Sequence, residues 1–185
     1  LNVLLKQTEI SYHLKDAEIK FYFCFQGSKA LPMGRYGYEA FTATPSCKHF
    51  IEISTELTSN KGQFEKTTSL GELIKNESTT FETQTTEADD IAIILYTSGT
   101  TGQPKGAQLT HFNMYYNAKI CTELFEMTSK EKELIILPLF HSFGQTVLMN
   151  AAILVGSTGV LMAKFTPKEA LKVMVEHQIT IFAGV

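Results

Sequence analysis

The chain has 185 residues and a formal net charge of −3, from 16 basic and 19 acidic side chains. This balance lacks the basic excess of nucleic-acid-binding proteins, so no nucleic-acid partner is predicted. No apolar run reaches the roughly 18 residues of a membrane-spanning helix, so no transmembrane segment is predicted. Three widely separated cysteines have no metal-ligand spacing. They indicate reduced thiols in a cytosolic protein, most simply as small buried side chains.

The first part of the chain is predicted to contain short elements separated by loops. Segment 9–17 has helical periodicity, and the apolar runs 21–25 and 49–53 predict two strands. Glycines and prolines between 27 and 47 predict loops, with a short helix near Tyr38.

Residues 54–90 have a different composition and are predicted to form an acidic, Ser/Thr-rich connector within the domain. They contain eight acidic residues against three lysines and few large apolar side chains. Ser69 and Glu72 have the spacing of a helix capping box, which predicts a short helix there. A solvated connector is the simplest interpretation, and a regulatory or partner-binding segment is the alternative.

The second half of the chain alternates predicted strands and helices, which favours parallel strands joined by crossover helices on both faces. Apolar runs predict buried strands at 91–95 and 134–137, further strands at 159–163 and 179–183, and helices from Thr110 as cap to about 126, at 144–155 and from 167. The helix beginning after Thr110 is apolar around much of its circumference, so it is predicted to be mostly buried. The last helix is predicted to use Ala170, Leu171, Met174 and Val175 as its core face.

A loop with the sequence YTSGTTGQPKG follows the first of these strands, at 96–106. Its glycines let backbone N–H groups approach a ligand, and its hydroxyls and Lys105 add donors and positive charge. These groups suit a polyphosphate. The loop is not a Walker A motif, because counting from Gly99 places Pro104 where that motif requires its second glycine.

A second polar loop, 138–144, follows the strand at 134–137. In open α/β sheets, ligands bind beyond the carboxyl ends of the strands. Both loops follow predicted strands at that end. This agreement supports a ligand site independently of any family resemblance.

The loop at 96–106 resembles the phosphate-binding signature of the adenylate-forming superfamily, which includes acyl-CoA synthetases, luciferases and adenylation domains of peptide synthetases. The flanking sequences GAQLTHFNMY at 106–115 and LPLFHSFG at 137–144 are most similar to bacterial long-chain fatty-acid–CoA ligases. The resemblance implies an α/β fold, a mostly parallel sheet flanked by helices. It implies that residues 1–185 form part of the N-terminal, ATP- and acyl-binding domain, with the C-terminal domain absent.

The resemblance implies a ligase that activates a long-chain fatty acid with ATP to acyl-AMP and then transfers the acyl group to coenzyme A. Mg²⁺ would accompany ATP. A partial domain is expected to be inactive alone, and its exposed strand edges predict a homo-oligomer or aggregates. The parent enzyme would be cytoplasmic, either free or peripheral to the membrane.

Two other functions remain open at this point. One is another adenylate-forming enzyme with an aromatic or amino acid substrate. The other is a non-catalytic phosphate-binding or interaction module.

The resemblance also implies which residues form the site. The predicted ATP-binding residues are Thr97, Ser98, Gly99, Thr100, Thr101, Gly102 and Lys105. Thr97 is also the candidate for a hydroxyl near the metal ion. His141 is the candidate catalytic residue, which would orient the acyl carboxylate or shape its pocket. The alternative is a structural histidine at the end of a strand.

Overall fold

Two units, Leu1–Gln84 and Thr85–Val185, make up the computed structural model. The structure describes residues 1–56, 62–98 and 102–184. Both units combine parallel strands with helices, as the sequence predicts for an α/β protein.

A parallel three-stranded sheet organises the first unit. Its strand order is β1 (Phe21–Phe25), β2 (His49–Ile53) and β3 (Thr68–Ser69). Its helices are α1 (Gln7–Asp16), α2 (Met33–Thr42) and α3 (Leu70–Ile74). The strands predicted at 21–25 and 49–53 are therefore confirmed. Ile10 and Leu14 of α1 lie in the core with Ala40 of α2, as the helical periodicity of α1 predicts.

Helix α2 is longer than the short helix predicted near Tyr38, because two of its glycines allow close packing rather than turns. A Cβ atom on Gly37 would lie 2.7 Å from the sulfur of Cys24 on β1. One on Gly34 would lie 3.0 Å from the Cα of Gln26. The glycines that favour a loop in the sequence therefore bring a helix against a strand.

A buried carboxylate holds the chain that follows β2. Glu52 is 1% exposed and accepts hydrogen bonds from the backbone amides of Gln63 and Phe64, at 2.7 and 3.2 Å. The hydroxyl of Thr67 and the amide of Gln26 donate to the same carboxylate. With several donors around it, this charge is compensated inside the protein.

The second unit contains a parallel sheet and a separate hairpin. The parallel sheet has the order β7 (Thr158–Leu161), β6 (Lys132–Ile135) and β8 (Ile181–Phe182). The hairpin pairs β4 (Ile91–Thr97) with β5 (Lys105–Thr110). The helices are α4 (His111–Leu124), a π-helix (Phe143–Asn150) that continues into α5 (Ala151–Val155), and α6 (Pro167–His177).

The hairpin departs from the parallel arrangement predicted for this half. Its strands are antiparallel, because the loop that joins them is too short for the crossover that a parallel pair requires. The strand predicted to be buried at 91–95 is only partly so, since Ile91 is 54% exposed. A strand in a two-stranded sheet has less of its apolar surface covered than a strand within a wide sheet.

Two helices are less buried than predicted. In α4 only Ala118 and Thr122 are buried, while Tyr115 is 52% exposed. In α6 only Ala170 is buried, and Leu171 and Val175 of its predicted core face are exposed. Each helix packs along one narrow face, whereas its apolar residues extend further around the circumference.

Four of the predicted helix caps are confirmed. Thr110 caps α4 by accepting from the amide of Asn113, and Thr166 caps α6 by accepting from the amide of Glu169. Ser69 caps α3 in the same way, accepting from the amide of Glu72. Gly156 ends α5 in the left-handed conformation, with φ of +72°. These caps depend on local chemistry, which the sequence displays directly.

The cysteines match the simple interpretation of the sequence. All three are free, Cys24 and Cys47 are buried, and Cys121 is partly buried. In the described part of the chain, no helix is long and apolar enough to cross a membrane.

Strand β6 contains a second buried carboxylate, which accepts fewer hydrogen bonds than the carboxylate of Glu52 does. Glu133 is 0% exposed, and the Ser157 hydroxyl donates to its Oε1 atom at 2.6 Å. Its Oε2 atom has no hydrogen-bond partner among the described residues. Burial raises the pKa of Glu133, the Ser157 hydrogen bond opposes this, and the nearby Glu131 carboxylate adds to the increase.

The contribution of Glu133 to the stability of the second unit should therefore decrease as pH rises above the pKa of an unfolded glutamate. A glutamate whose pKa is raised in the folded state stabilises that state fully below its unfolded pKa, and this contribution is lost as pH rises through the folded pKa. We expect wild type to lose about 1 kcal/mol or more relative to Glu133→Gln as pH rises from below the pKa of an unfolded glutamate through the raised pKa of the folded state. Urea unfolding at a series of pH values, with amide exchange assigned to each unit, measures this difference.

Glu52→Gln is the matched control in the first unit. It replaces a fully compensated carboxylate, so we expect a loss of about 1.5–3 kcal/mol near neutral pH. An unchanged pH dependence in Glu133→Gln would show that Glu133 does not cause the loss of stability as pH rises.

Candidate functional site

Thr97 and Lys105 form the last pair of residues at the end of the hairpin next to the connecting loop. Thr97 ends β4, Lys105 begins β5, and the two are directly opposite in the antiparallel register. Side chains of directly opposed residues lie on the same face, with Cβ atoms about 5 Å apart. Both residues are exposed, and Lys105 forms no ion pair with a described residue. The fold therefore presents a hydroxyl and an ammonium group together to solvent.

The described residues between this pair leave room for a ligand. Ser98 follows β4 directly and is exposed. Gly102 has φ of +87°, a conformation that favours glycine, and apart from its chain neighbours no atom of a described residue lies within 4 Å of the Cβ that a side chain would add. Gly99, Thr100 and Thr101, also predicted to bind ATP, lie outside the described residues.

Gly106 has a different role from Gly102. A Cβ atom at Gly106 would lie 2.7 Å from the Cγ2 atom of Ile94 and 3.2 Å from the ring of Tyr96. Tyr96 is opposite Gly106 in the hairpin. The third glycine of the loop therefore lets Tyr96 lie across its partner strand, and so supports the pairing that aligns Thr97 with Lys105.

The second predicted loop leaves the carboxyl end of β6 and turns tightly into the π-helix. A Cβ atom at Gly144 would collide with the carbonyl oxygen of Pro138 and would lie 2.9 Å from that of Leu137. Gly144 is therefore required by the close approach of two backbone segments. Sequence reasoning assigned it only to the start of a helix, although the succession of proline and glycine around a histidine is a signal for such a turn.

His141 is exposed and lies within this turn. Its backbone amide donates to the carbonyl of Pro138 at 3.0 Å, and its carbonyl accepts from the amide of Gln145 at 2.9 Å. On the side chain, Nδ1 accepts from the backbone amide of Phe143 at 3.3 Å. The neighbouring rings of Phe140 and Phe143 are 37% and 38% exposed.

The structure pairs some of the predicted site residues and leaves others apart. Thr97 and Lys105 are cross-strand neighbours, whereas His141 belongs to a different sheet's loop. Among the described residues, no hydrogen bond, ion pair or ring contact joins His141 to the hairpin. The hairpin provides hydroxyl, amide and ammonium donors, which can bind an anion.

A metal ion would need oxygen ligands from a bound substrate. No group of three or more His, Cys, Asp or Glu residues in the described ranges could hold a metal ion. The Thr97 hydroxyl is an oxygen donor of the kind that Mg²⁺ accepts, and Mg²⁺ commonly completes its shell with phosphate oxygens and water. The hydroxyl therefore fits a magnesium ion that arrives with a polyphosphate.

Comparison with known proteins agrees with the resemblance of the loop at 96–106, and the similarity extends along the whole chain. The model of the AMP-binding enzyme family matches residues 1–185. A long-chain-fatty-acid–CoA ligase of Bacillus subtilis is 32% identical over 199 aligned residues, which cover 99% of this chain and 36% of the ligase. The chain thus spans about a third of the length of this curated relative.

Solved structures are similar over all of the chain. ATP-bound MatB from Rhodopseudomonas palustris has a TM-score of 0.80 and 29% identity, over 100% of this chain and 33% of MatB. The O-succinylbenzoate–coenzyme A synthetase MenE from Bacillus subtilis, in complex with ATP and magnesium, has a TM-score of 0.72 and 26% identity over the same shares. Because the family model and these relatives match across its full length, the chain belongs to the AMP-binding enzyme family, the adenylate-forming superfamily that the loop at 96–106 resembles.

Proposed function

We propose that the protein activates a carboxylic acid with ATP and transfers the acyl group to coenzyme A, and that the acid is a long-chain fatty acid. The observation that carries the proposal is the Thr97–Lys105 pair beside the open loop at Ser98 and Gly102. The identity of the acid is supported by the Bacillus subtilis fatty-acid ligase, which aligns with 99% of this chain.

The reaction has two steps with anionic reactants. A carboxylate oxygen of the acid attacks the α-phosphorus of ATP, the bond to the β-phosphate breaks, and pyrophosphate leaves. The thiolate sulfur of coenzyme A then attacks the acyl carbon, and AMP leaves. The site must offset charge repulsion and hold the reacting atoms in line.

The hairpin supplies the phosphate contacts in this proposal. Hydroxyl and backbone N–H groups of Ser98, Gly102 and the intervening residues 99–101 hold the β- and γ-phosphates, and Lys105 neutralises part of their charge. Thr97 contributes a hydroxyl beside Mg²⁺. When bound with ATP, Mg²⁺ neutralises phosphate charge. His141 contacts the acyl carboxylate near the nucleotide.

We also propose that residues 1–185 are part of the N-terminal domain of a larger ligase, with 54–90 as a connector inside it. The Bacillus subtilis fatty-acid ligase supports this proposal, because the alignment covers 99% of this chain but only 36% of the ligase. The remaining segments would complete the ATP and coenzyme A sites, so the 185-residue chain alone would be inactive. The complete enzyme would work in the cytoplasm, either free or at the membrane surface.

A second candidate substrate is an aromatic acid of the succinylbenzoate type. The supporting observation is the similarity to MenE along 100% of this chain. Both candidates share the ATP-dependent step and differ only in the acid.

The acid can be identified by pyrophosphate release from the full-length protein. We expect ATP-dependent release with palmitate, together with formation of the coenzyme A thioester, and little release with O-succinylbenzoate. Omission of the acid is the control for ATP hydrolysis. Release with O-succinylbenzoate alone would replace the fatty-acid assignment, and no release with any carboxylic acid would contradict adenylation.

Lys105→Ala tests the phosphate contact in the same assay. Loss of a hydrogen bond to a charged group should lower kcat/KM for ATP by about 10- to 100-fold, without loss of folding. Lys168→Ala removes an exposed lysine from the first turn of α6 and is the control for a general charge effect. Equal rates for Lys105→Ala and wild type would remove Lys105 from the site.

A further inference from the structure

The helix that follows the loop at 138–142 is only partly α-helical. Its first eight residues, Phe143–Asn150, form the π-helix, and only its last five, Ala151–Val155, form an α-helix. The amide of Ala151 donates to the carbonyl of Thr146, five residues earlier. A π turn closes over one residue more than an α turn, so the segment holds a surplus residue relative to an α-helix. π-Helices are rare and are frequently found at functional sites.

Both ends of this helix are fixed by close contacts. Gly156 ends it in the left-handed conformation, and Ala151 and Ala152 are 0% and 5% exposed. At the other end, a Cβ atom on Gly144 would lie 2.4 Å from the carbonyl oxygen of Pro138. While these contacts hold, the surplus residue cannot leave the helix at either end, and the backbone accommodates it as π turns.

The π-helical arrangement also leaves one polar atom without a partner. Gln145 lies in the first turn, and its buried Oε1 atom has no hydrogen-bond partner in the part of the chain that the structure describes. A buried acceptor without a donor destabilises the arrangement that creates it. Conversion of the segment to an α-helix anchored at Ala151 would rotate Gln145 by roughly 100°, the rotation of one α-helical residue. The α register would therefore remove Oε1 from these surroundings.

The register of the helix is coupled to the position of the loop. If one residue leaves the helix at its amino end, Gln145 takes the place of Gly144 beside the Pro138 carbonyl. That place admits only glycine, because a Cβ atom there would lie 2.4 Å from the carbonyl oxygen. A change of register therefore lengthens the loop at 138–142 by one residue and displaces it from the helix.

We propose that the helix at 143–155 is a two-register switch, with the π register of the structure and an α register in which the loop at 138–142 is displaced. Binding of the acid and ATP shifts the balance to the α register. The loop lies beyond the carboxyl end of β6, where ligands of open α/β sheets bind. A ligand there contacts the loop differently in the two registers, and such a difference is what shifts a conformational equilibrium. The identity of the ligands rests on the proposed function, whereas the surplus residue does not.

Deletion of Met149 tests the surplus residue without any substrate. Met149 is partly buried within the π-helix, and without it the remaining residues can form α turns between the same two ends. We expect the second unit of the 185-residue chain to keep its Tm or to gain about 2–4 °C.

Deletion of Lys172 is the matched control, because this exposed residue lies within the regular helix α6. Loss of one residue there turns the faces of the helix by about 100° relative to each other, so we expect a lower Tm. An equal decrease of Tm in the two deletion variants would overturn the surplus residue and, with it, the switch.

Amide hydrogen exchange tests the change of register in the full-length protein. With ATP, Mg²⁺ and palmitate but no coenzyme A, acyl-AMP accumulates, and amides 147–151 should gain α-helical hydrogen bonds. We expect their protection to rise about 10-fold relative to that of the amides in α6. Unchanged relative protection in a sample that contains acyl-AMP would contradict the proposal.

The same deletion separates failure of this inference from failure of the proposed function. Without Met149 the helix has no residue to give to the loop, so the full-length variant should form acyl-AMP with kcat lowered about 10-fold or more. If wild type and the variant are equally fast, the switch is wrong while the proposed function stands. If wild type forms no acyl-AMP, the proposed function and the assigned ligands both fail, and the Tm comparison still decides the surplus residue.

Discussion

The antiparallel pairing of β4 with β5 is the constraint on which the candidate phosphate site depends. It places Thr97 directly opposite Lys105 and aligns Tyr96 with Gly106. A shift of one residue would move each side chain to the other face of the hairpin, so the hydroxyl and the ammonium group would no longer lie together. The tight contact of Gly106 with Ile94 and Tyr96 resists such a shift, because a neighbour with a Cβ atom would not fit there.

Glycine has several physical roles in this chain, and they limit what its sequence can reveal. Gly102 has a positive φ in open space, as expected of a ligand loop. Gly37 allows α2 to approach Cys24, and Gly144 allows a turn to close on Pro138. The sequence marks all three positions, but only the neighbours in space decide which role each has. That is why the glycine-rich loop at 96–106 was predicted from sequence and the full length of α2 was not.

Features set by local chemistry were predictable, whereas features set by distant packing were not. Strands β1 and β2 and the caps at Ser69, Thr110 and Thr166 follow from neighbouring residues and agree with prediction. The exposure of Val175 and the antiparallel partner of β4 depend on which surfaces meet. For the site, sequence identified the two loops but gave no sign that the Phe143 amide contacts His141, because that contact depends on the backbone of the turn.

The described site residues also explain why one arrangement can suit both proposed acids. Thr97, Ser98 and Lys105 present hydrogen-bond donors, and none of them is a carboxylate. A set of donors attracts anions and stabilises negative charge, but it is poorly suited to removing a proton from a neutral nucleophile. Carboxylate and triphosphate are both anions before they react. In the proposed reaction these donors would stabilise both anions whatever acyl group is attached, so selection between a fatty and an aromatic acid would depend on residues other than these donors.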